Sequence, residues 1–284
     1  EISAFENYQT AAWLPKSYSL TRLPSISTLR TLRSASHHGQ MQKPFIGFGD
    51  PVLDGSTEHL RGLTTKNLYV DNQTNIAALR DLPSLPETSN ELKLIANYLG
   101  ASDDALYLRE RASEAEVKAA DLKSSKVIAF ATHGLIGGEI NGLGEPALVL
   151  SPPQKVSIED DGLLRASEVA QLELNAEMIL LSACNTASGD TLEASGVSGL
   201  ARAFIYAGAR SLLVSHWAIE STSAAALTTG LFDVIKDNGK LGRSEALQQS
   251  MLKLINNAQQ PYYSHPAFWA PFSLIGDGQT SLLN

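Results

Sequence analysis

Two residues in this 284-residue chain have the side chains of a covalent nucleophile and its base: Cys184, its one cysteine, and His133, one of six histidines. His133 sits in Thr132-His133-Gly134, just past the apolar run Lys126 to Ala131, and Cys184 ends Ser182-Ala183-Cys184, just past the apolar run Met178 to Leu181. A thiolate is a strong nucleophile, and a neighbouring imidazole takes its proton and later returns one to a leaving amine. Gly134 follows the histidine with a backbone N–H that no side chain obstructs. With the N–H of Cys184 it makes a candidate oxyanion hole, in which a single donor is worth about 3 to 4 kcal/mol. A lone cysteine at a strand end is more often a small buried apolar residue, and a lone histidine more often a structural one. The matched placement of the pair argues for chemistry.

The elements that must hold the pair are those of an α/β fold. Short apolar, β-branched runs alternate with helical patterns, which predicts a doubly wound, mainly parallel sheet flanked by helices. Strands are expected at Phe45–Phe48, Leu106–Leu108, Lys126–Ala131, Met178–Leu181, Ser211–Ser215 and Phe272–Ile275. Helices are expected over about Glu87–Leu99, closed by Gly100, then after Ser113 with Glu116 in a capping box, and over about Gly196–Tyr206, Thr222–Lys236 and Ser244–Asn256. In open parallel sheets ligands bind outside the carboxyl ends of the strands. Neighbouring strands lie about 4.8 Å apart, so side chains from adjacent ends meet. The 51 residues from His133 to Cys184 leave room for a crossover helix between Ser167 and Leu174. One domain is expected over residues 1–284, with an irregular lead of about 40 residues that reads as a hairpin or a helix. The segments Asp50–Pro86 and Gly134–Asp161 are long for connections, and such loops tend to be functional or mobile.

Other functions fit poorly. Lys plus Arg number 22 against 30 Asp plus Glu, a net charge of −8, and no stretch gathers the basic residues on one face, which disfavours nucleic acid and anionic membranes as partners. No apolar run approaches the roughly 18 residues that span a bilayer, so a soluble protein is expected. A single cysteine allows no internal disulfide and points to a reducing, cytoplasmic compartment. A chain that starts at Glu1 reads as part of a longer protein. Gly47-Phe48-Gly49 follows a strand, yet position 52 is Val and Asp50 would put negative charge where a phosphate belongs, and there is no P-loop; no cofactor is expected. Gly196-Val197-Ser198-Gly199 is one residue short of a nucleophile elbow. His37, His38, His59, His133, His216 and His265 show no metal-ligand spacing within a helix, so no metal is expected.

The spacing of His133 and Cys184 matches the roughly 50 residues, histidine first, of caspases. Phe130-Ala131-Thr132-His133-Gly134, Asp161-Gly162-Leu163-Leu164, Leu180 to Thr186, Gly199-Leu200-Ala201-Arg202-Ala203-Phe204 to Arg210, Ser215-His216-Trp217 and Phe268-Trp269-Ala270-Pro271-Phe272 to Asp277 occur in the order seen in CHAT domains. The chain resembles that caspase-like, separase-like family over roughly residues 20 to 280, departing mildly at Asn185. The resemblance implies a caspase-type fold and a cysteine endopeptidase with a His133–Cys184 dyad, a protein substrate and a regulatory protein or attached repeat domain. By position in such a fold, Asp50 would accept a hydrogen bond from the imidazole, or else cap the turn before Pro51. The loop after the fifth strand, with His216, Trp217, Ile219 and Glu220, would line the substrate pocket, with Glu220 either meeting a basic substrate residue or charging a helix start. The alternatives are a catalytically silent caspase-fold scaffold and a nucleotide-binding doubly wound domain.

Overall fold

In the computed structural model, residues 2–282 are described apart from positions 24, 26, 29, 31–42, 57–59, 62–67, 71–72, 136–142, 158, 183–198 and 218. Six strands make the central sheet: β1 (Lys43–Gly49), β2 (Leu106–Leu108), β3 (Ser125–Ala131), β4 (Met178–Leu181), β5 (Ser211–Ser215) and β6 (Phe272–Gly276). Their order is β6-β5-β4-β3-β1-β2. Every neighbouring pair is parallel except β5 with β6. Val127 to Ala131 of β3 and all four residues of β4 are fully buried, as expected of strands covered on both faces.

The alternation of side chains along each strand divides the core in two. Phe45, Val127, Ala129, Leu180 and Leu213 face one layer, which holds α2 (Glu87–Leu99), α4 (Ser221–Asp237) and α5 (Arg243–Ile255). Ile46, Phe48, Ile128, Phe130, Ile179 and Val214 face the other, packed by α3 (Gly199–Ala207). α2 ends as read from the sequence, on Gly100 with φ 72°. The Ser113 side chain accepts from the Glu116 N–H at 3.2 Å, the expected N-cap of the helix Glu114–Ala119.

The lead is partly regular. Helix α1 (Ile2–Thr10) precedes Trp13, whose ring meets Trp269 edge to face at 5.6 Å. Arg22 then exchanges backbone bonds with Leu274 and Gly276 at 2.8 Å and covers the outer edge of β6.

Among the described residues between β3 and β4, the helical crossover amounts to one turn, Ala166–Val169. The other described residues include an antiparallel arm of three short strands, Gly134–Leu135, Ala147–Val149 and Leu163–Arg165. Leu135, Ala147, Val149 and Leu163 of this arm share a third apolar cluster with Leu53, Leu68, Leu79 and Leu82. The described parts of the two long connections therefore pack on each other. Glu114 pins the arm: its carboxylate accepts from the Asp161 and Gly162 N–H groups at 2.8 and 3.2 Å and pairs with Lys118 at 2.6 Å. Burial pushes its pKa up to about 7.

At the amino edge of the sheet a second polar cluster is closed around Arg243, whose side chain is fully buried. The guanidinium donates to the Glu177 carbonyl, to Ser211 Oγ at 2.9 Å, to Glu177 Oε2 at 3.1 Å and to the Thr280 carbonyl at 2.9 Å. Asp277 lies 3.8 Å away.

Candidate active site

β3 and β4 are direct neighbours, with Phe130 opposite Leu181. The pairing continues past the strands: the Ser182 N–H donates to the Phe130 carbonyl at 2.9 Å. Thr132-His133 and Ser182 thus leave the carboxyl edge side by side. Cys184 lies outside the described residues, two positions beyond Ser182 along the chain.

His133 is fully buried. Its Nε2 is 2.8 Å from the Pro83 carbonyl oxygen. A carbonyl oxygen can only accept, so in the neutral ring Nε2 carries the proton and Nδ1 is the basic nitrogen. The backbone of His133 is anchored as well. The Val149 N–H donates to the His133 carbonyl at 2.9 Å, and the Thr132 hydroxyl donates to the Val149 carbonyl. That bond makes Gly134 and Leu148, which face each other, a non-hydrogen-bonded pair. The Gly134 N–H therefore points away from the neighbouring strand and is not used by that ladder.

Of the two readings of Asp50, the structure shows the turn. Its Oδ1 accepts from Arg109 Nη1 at 3.1 Å, its N–H donates to Thr88 Oγ1 at 2.8 Å, and its carbonyl accepts from the Arg109 N–H at 3.1 Å. Burial raises its pKa against the pull of Arg109. The imidazole is oriented by Pro83 instead, so the turn reading of Asp50 holds: the residue bends the chain at φ 46° before Pro51. Nothing in their residue types singles out Pro83, Thr88 or Arg109. A backbone carbonyl carries no residue-type signature, and only the two prolines of Leu82-Pro83-Ser84-Leu85-Pro86 hinted that this connection is stiff.

Of the two readings of Glu220, the structure shows the helix start. Both carboxylate oxygens accept backbone N–H groups, Oε1 from Thr222 at 2.9 Å and Oε2 from Ser223 at 2.7 Å, which makes it the N-cap of α4. Burial pushes its pKa up, but these bonds outweigh it and hold the carboxyl below its usual range. A carboxylate committed to a helix start is not presented to a ligand. Trp217, just past the carboxyl end of β5, is 44% exposed and stands at the edge where a ligand would bind. Beside it His216 Nε2 lies 2.8 Å from Ser273 Oγ and 3.0 Å from Arg22 Nη1. Burial, then the Arg22 charge, push the His216 pKa down.

Among the described residues no group of three or more His, Cys, Asp or Glu is placed to hold a metal, and no helix is long and apolar enough to cross a membrane.

A family model described as the CHAT domain matches residues 2–277. Two curated proteins named Tetratricopeptide repeat protein 28 are similar: the one from Mus musculus is 24% identical over 249 residues, 72% of this chain and 10% of that protein. The one from Homo sapiens is 27% identical over 223 residues, 68% of this chain and 8% of that protein. The chain thus spans about a tenth of these relatives. Among solved structures, the Arg-specific cysteine proteinase gingipain R aligns with a TM-score of 0.49 and 12% identity, covering 89% of this chain and 50% of that one. The Saccharomyces cerevisiae separase–securin complex aligns with a TM-score of 0.49 and 14% identity, covering 97% of this chain and 15% of that one.

Proposed function

Since the chain belongs to the CHAT-domain family, we propose that it is a caspase-like cysteine endopeptidase that cuts a protein partner through His133 and Cys184. The observation that carries this reading is the Pro83–His133 bond of 2.8 Å at the edge where the ends of β3 and β4 run together. It leaves Nδ1 as the base.

In the proposed reaction Nδ1 takes the Cys184 thiol proton, and the thiolate sulfur attacks the substrate carbonyl carbon. The negative charge that develops on the carbonyl oxygen meets the Gly134 N–H and the backbone N–H of Cys184. The imidazolium returns its proton to the leaving amine as the C–N bond breaks, and a thioester remains. Water, deprotonated by the same nitrogen, then hydrolyses the thioester to an acid and regenerates the thiol. Trp217 is proposed to line the substrate pocket, supported by its exposure beyond β5. A regulatory partner or attached repeat domain is proposed as well. The repeat name of the much longer relatives supports it.

A second reading is a catalytically silent scaffold. It draws on the full burial of the His133 ring, since a base that serves a substrate must be reachable from solvent. The experiment is digestion of a mixed peptide library, read by mass spectrometry, with Cys184→Ala and His133→Ala as controls. Cutting at a consistent residue that vanishes in both variants is expected. Absence of cutting, together with no covalent capture of Cys184 by a thiol-reactive peptide electrophile, leaves the scaffold.

A further inference from the structure

If the imidazole is held by a carbonyl, something must hold the carbonyl. The segment that carries Pro83 is clamped from two sides. Below it, Leu82 and Leu85 are buried in the core and the Thr88 hydroxyl donates to the Leu85 carbonyl at 2.7 Å. Beside it runs the stretch Asp54–Gly55. The Gly55 N–H donates to the Leu82 carbonyl at 3.0 Å, the Ser84 N–H donates to the Gly55 carbonyl at 3.4 Å, and Gly55 and Pro83 form a parallel β-bridge. The Asp54 N–H adds a bond of 2.6 Å to the Arg80 carbonyl.

This approach is too close for any residue but glycine. A Cβ at Gly55 would lie 2.2 Å from the Asp81 carbonyl oxygen and 2.6 Å from that of Leu82. Both are backbone atoms and cannot swing aside like a side chain. The strand of chain from Asp81 to Pro83 would have to retreat by about 1 Å to restore contact, and a misplacement of that size at a catalytic group costs about 100-fold. Pro83 has no N–H, so the group it has to offer is its carbonyl, which is aimed at His133.

We propose that Gly55 is a positioning residue: by admitting backbone against backbone, it sets the Pro83 carbonyl where that oxygen selects the Nε2–H form of the His133 ring. The kinetic part rests on the peptidase reading; the tautomer part does not.

The test uses the ¹⁵N-labelled chain and long-range ¹H–¹⁵N spectra of its histidine rings, with His133 assigned by His133→Gln. The wild type is expected to show the Nε2–H form of His133. In Gly55→Ala a mixture of the two tautomers is expected, with kcat on a library-selected peptide reduced about 10- to 100-fold and KM within about threefold. Gly144→Ala is the control, since a Cβ there meets nothing within 4 Å, and both readouts should stay. A folded Gly55→Ala with the wild-type ring spectrum overturns the proposal. Should that variant fail to fold, the wild-type spectrum alone decides, and an Nδ1–H ring overturns it. A tautomer shift in a chain that neither cuts peptides nor is captured at Cys184 by the electrophile would sustain the positioning role and sink the peptidase reading.

Discussion

The two edges of the central sheet each bury a basic side chain, and they treat it in opposite ways. At the amino edge Arg243 is enclosed by Glu177, Ser211, Thr280 and Asp277, so its donors end on protein oxygens. At the carboxyl edge His133 is bonded through Nε2 to Pro83, and the other ring nitrogen is the basic one. A buried charge enclosed by partners resists chemistry, because any change of state strands an ion in a poor solvent. A buried imidazole fixed at one nitrogen is oriented for proton transfer at the other. The difference marks one edge as structural and the other as the edge proposed to work.

The comparison is most easily broken at the carboxyl edge. His133→Ala should lower peptide cleavage by about 10⁴-fold, because removing one member of a nucleophile–base unit costs nearly as much as removing the unit. Residual cleavage within about tenfold of wild type would remove the distinction between the edges. The mirror experiment is Arg243→Met. It takes the Arg243 cation away from Asp277 and from Glu177, which keeps Arg210 Nε at 3.5 Å, and should cost about 3 to 5 kcal/mol of stability in urea denaturation, with kcat unchanged at a temperature where the variant is folded. An unshifted urea midpoint would show that the amino-edge cluster is not structural.

Smaller effects sharpen the picture beyond β5. Trp217→Ala should raise KM about tenfold, as expected on removal of an aromatic anchor worth about 1.4 kcal/mol. Glu220→Ala should cost about 1 kcal/mol for the lost cap and leave the choice of cleaved residue the same. A changed preference, measured on basic- and acidic-site peptides, would return Glu220 to the pocket. The smallest effect concerns pH. The His216 pKa is held below its unfolded value near 6.5, so the unfolded chain takes up that proton first as pH falls. This contribution to stability is present above pH 6.5 and is lost as pH falls through the folded value. The fall in urea midpoint between pH 7 and pH 5.5 should therefore be smaller in His216→Asn than in wild type; equal falls would acquit His216.

Much of the scaffold was legible in the sequence. Leu106–Leu108, Met178–Leu181 and Ser211–Ser215 are strands with the expected bounds, and α2 ends on Gly100, because buried apolar runs and a left-handed glycine are strong local signals. The lead was not legible. Its packing comes from Trp13 meeting Trp269 and Arg22 pairing with β6, contacts made across more than 250 residues of sequence. The crossover reads as helical, yet most of its described length is an antiparallel arm, held by a cluster shared with Leu53, Leu68, Leu79 and Leu82. For Asp50 and Glu220 the sequence leaves a site role and a structural role open, and packing takes the structural one in both for a related reason. Residue type marks a carboxylate as able to bind a ligand, but which donor reaches it first depends on packing, and Arg109 and the start of α4 did.

By itself, then, the sequence determined the alternation of strands and helices, the family and the candidate pair His133 and Cys184, because hydrophobic period, turn residues and side-chain chemistry are local properties. Tertiary structure decided which nitrogen of His133 is bonded, which group holds it, and why position 55 has no room for a side chain. Those depend on backbone oxygens of Asp81, Leu82 and Pro83, and a carbonyl is the same in every residue until the fold says where it points.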